Sequence, residues 1–236
     1  MRSDTLRQLL ADRAAKRLVV LATDLDGGEG RLLYPAEAEG GGEGLLAAAA
    51  EAARADRSRI VEADDGRKLF LHVHNPPLRM LIVGAVHIAQ PLSRMAVLAG
   101  YDVSIVDPRH SFASEQRFPG VDLSDDWPDE ALERLAPDQR TAIVTLTHDP
   151  KLDDPALIRA LASDAFYIGA LGSTRTHAKR LARLREEGLT DSDFDRIRGP
   201  VGLDIGAKSP AEIAVSIIAQ VTEALRRPPA PAEGAP

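Results

Sequence analysis

Four of the six histidines, His87, His110, His148 and His177, fall just beyond short apolar runs that read as buried strands. An imidazole in such a place can ligate a metal, move a proton or donate to a phosphate. No two of them have the tight spacing of a zinc motif, so no metal site is expected. Glycines, hydroxyls and cations accompany them. Gly169-Ala170-Leu171-Gly172-Ser173 runs into Thr174-Arg175-Thr176-His177 and then Lys179-Arg180. At the start of a helix, that composition suits a phosphate, because free N–H groups and the helix dipole favour an anion there. Arg175 would add a two-pronged donor. The competing reading is a tight turn leading into a solvated basic helix face. His72 and His74 alternate on one strand face and are expected to serve surface or interdomain packing.

Three further segments end in residues with chemistry. Gly84-Ala85-Val86-His87-Ile88-Ala89 resembles the G-x-G-x-x-G turn of dinucleotide-binding folds, with only its first glycine present. The second glycine normally lets a pyrophosphate approach the backbone, and Val86 stands there instead. The turn therefore supports the fold and argues against ordinary NAD binding. Asp107 follows 23 residues after Gly84, at a spacing suited to accepting ribose hydroxyls; it also reads as a turn residue capping Pro108-Arg109. The other two are Thr147-His148-Asp149 and a glycine-bounded loop containing Asp204 and Gly206, which leads into the capping box Ser209-Pro210-x-Glu212.

These residues need a scaffold that gathers them. Residues 80–83, 103–106, 142–146 and 166–168 read as strands, and residues 200–203 as a last one. Helices are expected over 87–99, 129–135, 154–162, 174–187 and 209–226. Alternation of this kind implies a parallel sheet covered on both faces, with ligands beyond the carboxyl ends of its strands. Upstream, residues 5–15 and 45–55 read as helices, and 18–22, 31–34, 58–63 and 68–74 as strands, the last two joined at Asp65-Gly66. Gly40 to Gly44 mark a loop. Asn75-Pro76-Pro77 interrupts both helix and ladder, which places a domain boundary near Pro76. The expected fold class is α/β: a Rossmann-like, doubly wound parallel sheet over 78–226, a smaller N-terminal α+β unit over 1–77, and a disordered tail over 227–236.

Composition narrows the function. Of 236 residues, 44% are hydrophobic and only 4% aromatic, so the core rests on aliphatic side chains. A net charge of −7 argues against nucleic-acid binding. Cysteine is absent, which excludes disulfides and thiolate metal sites within these residues. With no apolar signal core and no run long enough to span a bilayer, a soluble cytoplasmic protein without membrane partners is expected.

GAVHIAQPL, THD, YIGALGSTRTHAKRL and PVGLDIGAKSPAEIA, in that order, resemble the XdhC/CoxI family, accessory proteins of xanthine dehydrogenase and related molybdenum hydroxylases. KLFLHVHNPP, at 68–77, resembles the join before that family's Rossmann-like domain. The resemblance implies a cofactor-binding maturation chaperone rather than an enzyme. It would bind molybdenum cofactor (molybdopterin), protect its sulfurated form and deliver it to the apo-enzyme. The residues at the expected strand ends, and so the candidate cofactor-binding residues, are Gly84, Ala85, Val86, His87, Asp107, Thr147, His148, Asp149, Gly169, Gly172, Ser173, Arg175, His177, Asp204 and Gly206. Two features depart from the family. The glycine–cysteine N-terminal domain is reduced to a short segment without cysteine, and the usual GAGH turn reads Gly84-Ala85-Val86-His87. A cysteine-containing paralogue is therefore a candidate partner beside the molybdenum hydroxylase apo-enzyme, and a homodimer is open. An NAD(P)-dependent oxidoreductase and a non-catalytic regulatory or scaffold protein with a degenerate cleft are the alternatives.

Overall fold

The computed structural model describes residues 3–35, 44–109 and 111–227. The expected loop at Gly40 to Gly44 lies outside this range except for Gly44, as do His110 and all of the expected tail but Arg227. The chain divides into two compact units, residues 1–76 and 77–236.

In the first unit, α1 (Ser3–Ala14), β1 (Val19–Asp24), β2 (Gly30–Leu33), α2 (Leu45–Arg54), β3 (Arg59–Glu62) and β4 (Lys68–His74) build a four-stranded antiparallel sheet of order β2-β1-β4-β3. Residues along β1 alternate between two cores. Val20 and Ala22 pack with Leu71 and with Ala49, Ala52 and Ala53 of α2. Val19 and Leu21 pack with Leu9 of α1. Covered on both faces, β1 is apolar throughout most of its length instead of alternating with polar residues.

The second unit contains β5 (Arg79–Val83), α3 (Ala89–Leu98), β6 (Asp102–Val106), β7 (Asp122–Ser124), α4 (Pro128–Leu135), β8 (Thr141–Thr145), α5 (Pro150–Leu161), β9 (Tyr167–Ala170), α6 (Thr174–Glu186), α7 (Asp191–Phe194), β10 (Ile197–Arg198) and α8 (Pro210–Arg226). Its six strands are all parallel, in the order β10-β9-β8-β5-β6-β7. Met80 and Ile82 of β5 face Leu92 and Ala96 of α3 and Ile217 and Val221 of α8. Leu81 and Val83 face Leu132 of α4, Leu157 of α5 and Leu184 of α6. This is the doubly wound Rossmann-like sheet, and the first unit is the smaller α+β one. The chain lays β5, β6 and β7 in one direction and returns to β8 on the other side of β5. The crevice of such a sheet opens between strands that depart in opposite directions, here β5 and β8.

Some elements differ from expectation. Helix α5 opens at Pro150, with Asp149 as its N-cap and Pro155 inside it, rather than at Asp154-Pro155. The earlier of two start signals wins because Asp153 is drawn into a buried hydrogen-bond network that closes the first turn. Residues 200–203 do not form the last strand. Ile197–Arg198 pairs with β9 instead, and Gln220 of α8 holds Gly202 away from the ladder. Its Oε1 accepts the Gly202 N–H at 2.9 Å, and its Nε2 donates to the Gly202 carbonyl at 3.2 Å. The same Oε1 accepts the buried Tyr167 hydroxyl at 2.6 Å. Burial drives the Tyr167 phenol far above its ordinary pKa, so it remains a donor.

Gln220→Leu keeps a similar volume but removes the acceptor of Tyr167 and both anchors of Gly202. Denaturant unfolding should register a loss of about 1–3 kcal/mol, the cost of stranding a buried polar group.

Candidate functional site

At the end of β5 the backbone turns at Gly84, with φ of +109°. Its N–H donates to the Val106 carbonyl at 2.8 Å. A Cβ at this position would lie 2.5 Å from Cγ2 of Thr147. Glycine is therefore required twice here, by conformation and by contact, and the first turn is pressed against the loop that follows β8. Ala85 is fully buried and Val86 packs against the core beside α3, while His87 is exposed.

Asp107, at the end of β6, is completely buried. One oxygen accepts the Ala85 N–H at 2.8 Å and Nη2 of Arg109 at 2.7 Å. The other accepts the N–H and Nε of Arg109, at 3.0 and 2.8 Å. Burial alone would raise this carboxyl, but the Arg109 guanidinium and the two backbone N–H groups outweigh it and hold Asp107 below the usual carboxylate range. Both oxygens are thus engaged within the protein, three of the four contacts coming from Arg109. The Arg109 guanidinium stacks 4.3 Å over Phe112. Asp107 holds it charged, with Asp149 and Asp153 adding to the field, so the β6 end faces the β8 loop.

That loop is shaped by Asp153, from the first turn of α5. Its Oδ1 accepts the Thr147 hydroxyl at 2.6 Å and the Thr147 N–H at 3.3 Å. Its Oδ2 accepts the His148 N–H at 3.1 Å and Nη2 of Arg180 at 3.3 Å. His148 adopts a φ of +63°, uncommon for a residue with a Cβ, and the Asp153 contact holds it there. Burial raises the Asp153 carboxyl above its ordinary range, opposed by Thr147, Arg180 and the two N–H groups. Asp149 caps α5 by accepting the Lys151 N–H.

Beyond β9, the Leu171 N–H donates to the Thr145 carbonyl, while the Leu171 carbonyl accepts Nη2 of Arg180 at 2.8 Å. Arg180 and Asp153 thereby join the β8 and β9 loops. Gly172 has a φ of +144°, and Ser173 caps α6 by accepting the Thr176 N–H. Arg175, exposed on the first turn of α6, shares with His148 the lining of one cavity.

The sequence-predicted residues Gly84, Ala85, Val86, His87, Asp107, Thr147, His148, Asp149, Gly172, Ser173 and Arg175 thus lie along the carboxyl edge of the sheet. Gly169 sits inside β9 and is needed for packing, since a Cβ there would be 2.5 Å from Val201. His177 turns toward Gly199, where a Cβ would be 2.2 Å from its Nδ1; burial first and Arg180 second lower its pKa. Asp204 and Gly206 occupy an exposed loop whose Val201 N–H meets the Ala170 carbonyl. Asp153 did not stand out in the sequence, and neither did the burial of Arg180. A signal was present: Arg180 precedes the buried Leu184 by four residues and so belongs to the inward face of α6.

Comparisons with known proteins agree with this architecture. Residues 80–221 match the family of the XdhC Rossmann domain. Over 146 residues the chain is 34% identical to the molybdenum cofactor insertion chaperone PaoD of Escherichia coli, covering 62% of this chain and 40% of that protein. Over 165 residues it is 31% identical to a Bacillus subtilis protein described as a probable xanthine dehydrogenase subunit, covering 70% of this chain and 48% of that protein. The chain thus spans less than half the length of either relative. A crystal structure described as a xanthine dehydrogenase from Bacillus halodurans superposes with a TM-score of 0.68 at 25% identity, covering 94% of this chain and 68% of that one.

Asp107→Asn tests the first of these networks. Because the folded-state pKa is depressed, the stability that Asp107 contributes is complete above its unfolded pKa, about 3.9, and is lost as pH falls through the folded value. The variant should be less stable at neutral pH by about 1.5 kcal/mol, a low figure because solvent partly screens Arg109. Thermal melts from pH 7 to pH 3 should show the two proteins converging as the medium becomes acidic. A constant gap across that range would mean that the charge of Asp107 is not what holds Arg109.

Proposed function

This chain belongs to the XdhC family, and from that premise we propose that it is an accessory protein of molybdenum enzymes, binding molybdenum cofactor at the carboxyl edge of its parallel sheet and assisting its insertion into a molybdenum hydroxylase apo-enzyme. The likeness to a molybdenum cofactor insertion chaperone carries this reading. The architecture supports it, because the crevice between β5 and β8 is where ligands of such sheets bind.

The residues present suit the organic part of the cofactor. Gly84–His87, Thr147–Asp149 and Gly172–Arg175 border the edge, and Arg175 can hold the phosphate that a pterin cofactor carries. With no cysteine among these residues, no thiolate of this chain can hold the molybdenum or its sulfur ligand. Retention therefore falls to the pterin and phosphate contacts, and a cysteine-bearing paralogue is the partner of choice for the sulfurated form. Nicotinamide dinucleotides fit less well. Val86 occupies the position of the second glycine, and Arg109 already satisfies the carboxylate that a ribose would need.

Native purification from cells that make molybdenum cofactor, followed by mass spectrometry of the released small molecule, should yield a pterin. Calorimetric titration should find NAD and NADP no tighter than millimolar. A co-purifying nicotinamide, or micromolar affinity for one, would replace this reading with an oxidoreductase. A reproducibly empty protein that takes up no pterin would leave a scaffold protein.

A further inference from the structure

Between the first turn of α5 and the first turns of α6 lies a cavity of about 370 Å³. His148 and Asp153 line one side, and Arg175, Lys179, Arg180 and Arg183 the other. Its charges do not cancel. Arg180 pairs with Asp153. Arg183 is spent on Asp154, with Nε 2.5 Å from Oδ2 and Nη2 2.9 Å from Oδ1. Arg175 and Lys179 have no ion-pair partner among the described residues, so two positive charges remain.

The second observation is Arg180 itself. It is only 2% exposed, yet Nε and Nη1 have no hydrogen-bond partner. Nη2 alone makes contacts, to the Leu171 carbonyl and Asp153. A buried guanidinium with unmatched N–H groups is costly unless an acceptor meets them. Gly172 borders that guanidinium: a Cβ there would stand 3.9 Å from Nη1 and 3.0 Å from Thr176, so a larger residue would crowd the space over it. A phosphoryl group suits these features together. Its several oxygens can serve as the acceptors that Nε and Nη1 lack, as charge-assisted hydrogen bonds, and its double charge matches Arg175 and Lys179, whereas a lone carboxylate would leave one cation over.

We propose that the α5–α6 cavity is a phosphate subsite for a phosphate monoester or diphosphate, with Arg180 as its buried, preorganised donor and Arg175 and Lys179 as its neutralising pair. The proposal rests on the reading of this sheet edge as the ligand-binding edge, and it assigns the phosphorylated end of the ligand to the fourth strand–helix unit rather than to the first turn at Gly84.

The test uses the whole chain with inorganic pyrophosphate, and separately with a pterin lacking phosphate. Titration calorimetry should give saturable pyrophosphate binding, and bound pyrophosphate should raise the melting temperature. The Arg175→Ala, Lys179→Ala double variant should weaken pyrophosphate by about ten- to a hundredfold, without lowering the melting temperature in the absence of ligand, because both side chains are exposed. Arg180→Lys, which keeps the charge and loses the fixed planar donors, should bind pyrophosphate more weakly than wild type. Absence of saturable pyrophosphate binding, or equal affinity in the double variant, would overturn the subsite. If the phosphate-free pterin binds wild type and double variant alike while pyrophosphate fails, the subsite falls and the cofactor-binding function stands. If pyrophosphate behaves as expected and no pterin binds, the subsite stands and that function falls.

Discussion

The carboxyl edge of the sheet depends on one carboxylate that is not itself at the surface. Asp153 is 1% exposed and receives four donors, from the Thr147 hydroxyl, the Thr147 and His148 N–H groups and Arg180. Desolvating such a charge costs several kcal/mol, which a single ion pair rarely offsets. Four donors offset it only in part, since the carboxyl stays raised, and two of them are backbone groups that would otherwise be orphaned in a loop. The network therefore contributes position more than stability. It holds His148 at positive φ, starts α5 at Pro150 soon after β8 ends at Thr145, and brings Arg180 against the β9 loop.

The same device appears at the other side of the crevice. Asp107 is buried, satisfied by the Ala85 N–H and by Arg109, and so fixes the first turn to the end of β6. In both cases an acid is turned inward and its partner cation lies at the carboxyl edge of the sheet. The chain carries a net charge of −7, yet Arg109, Arg175, Lys179 and Arg180 gather at this edge. Charges beyond about 8–10 Å are largely screened at physiological salt. An approaching anion therefore feels this local cluster more than the acidic whole.

Much of the scaffold was legible because burial on two faces leaves a strong mark. Residues 80–83 and 142–146 are runs dominated by apolar side chains, and the helices carry caps such as Ser209 with Glu212. What escaped was short or polar. β7 is Asp122–Ser124, α7 is four residues and β10 is two, too few for a periodic signal to rise above the background. Residues 200–203 are apolar enough for a strand, but their fate is decided by Gln220, which is distant in sequence. At the site, residue type was legible and orientation was not. Asp107 occupies the place of a ribose acceptor, but Arg109, two residues on, takes its lone pairs. His177 reads as one of four strand-end histidines, yet it turns toward Gly199. Arg180 reads as one more cation of a phosphate-suited cluster or of a solvated helix face, and neither reading puts it in the interior, because net basicity obscured its spacing from Leu184.

The Rossmann strand order alone does not make a dinucleotide site. In the usual arrangement, a glycine at the second position of the first turn lets a diphosphate approach the backbone, and an acid at the end of the next strand takes the ribose. This chain keeps the order and alters both contacts: Val86 stands at the second glycine of the first turn, and Asp107 is saturated. Conformational freedom and positive charge occur instead at the β9–α6 unit, in Gly172 at φ of +144°, the Ser173 cap, Arg175 and the buried Arg180. The helix N-terminus there offers the same dipole as the first helix would, with one of its N–H groups already taken by Ser173. An anion held at the fourth strand–helix unit instead of the first would stay on the carboxyl edge and change which end of a ligand is anchored. Such a shift would separate a carrier of a phosphorylated pterin from a dehydrogenase built on the same sheet.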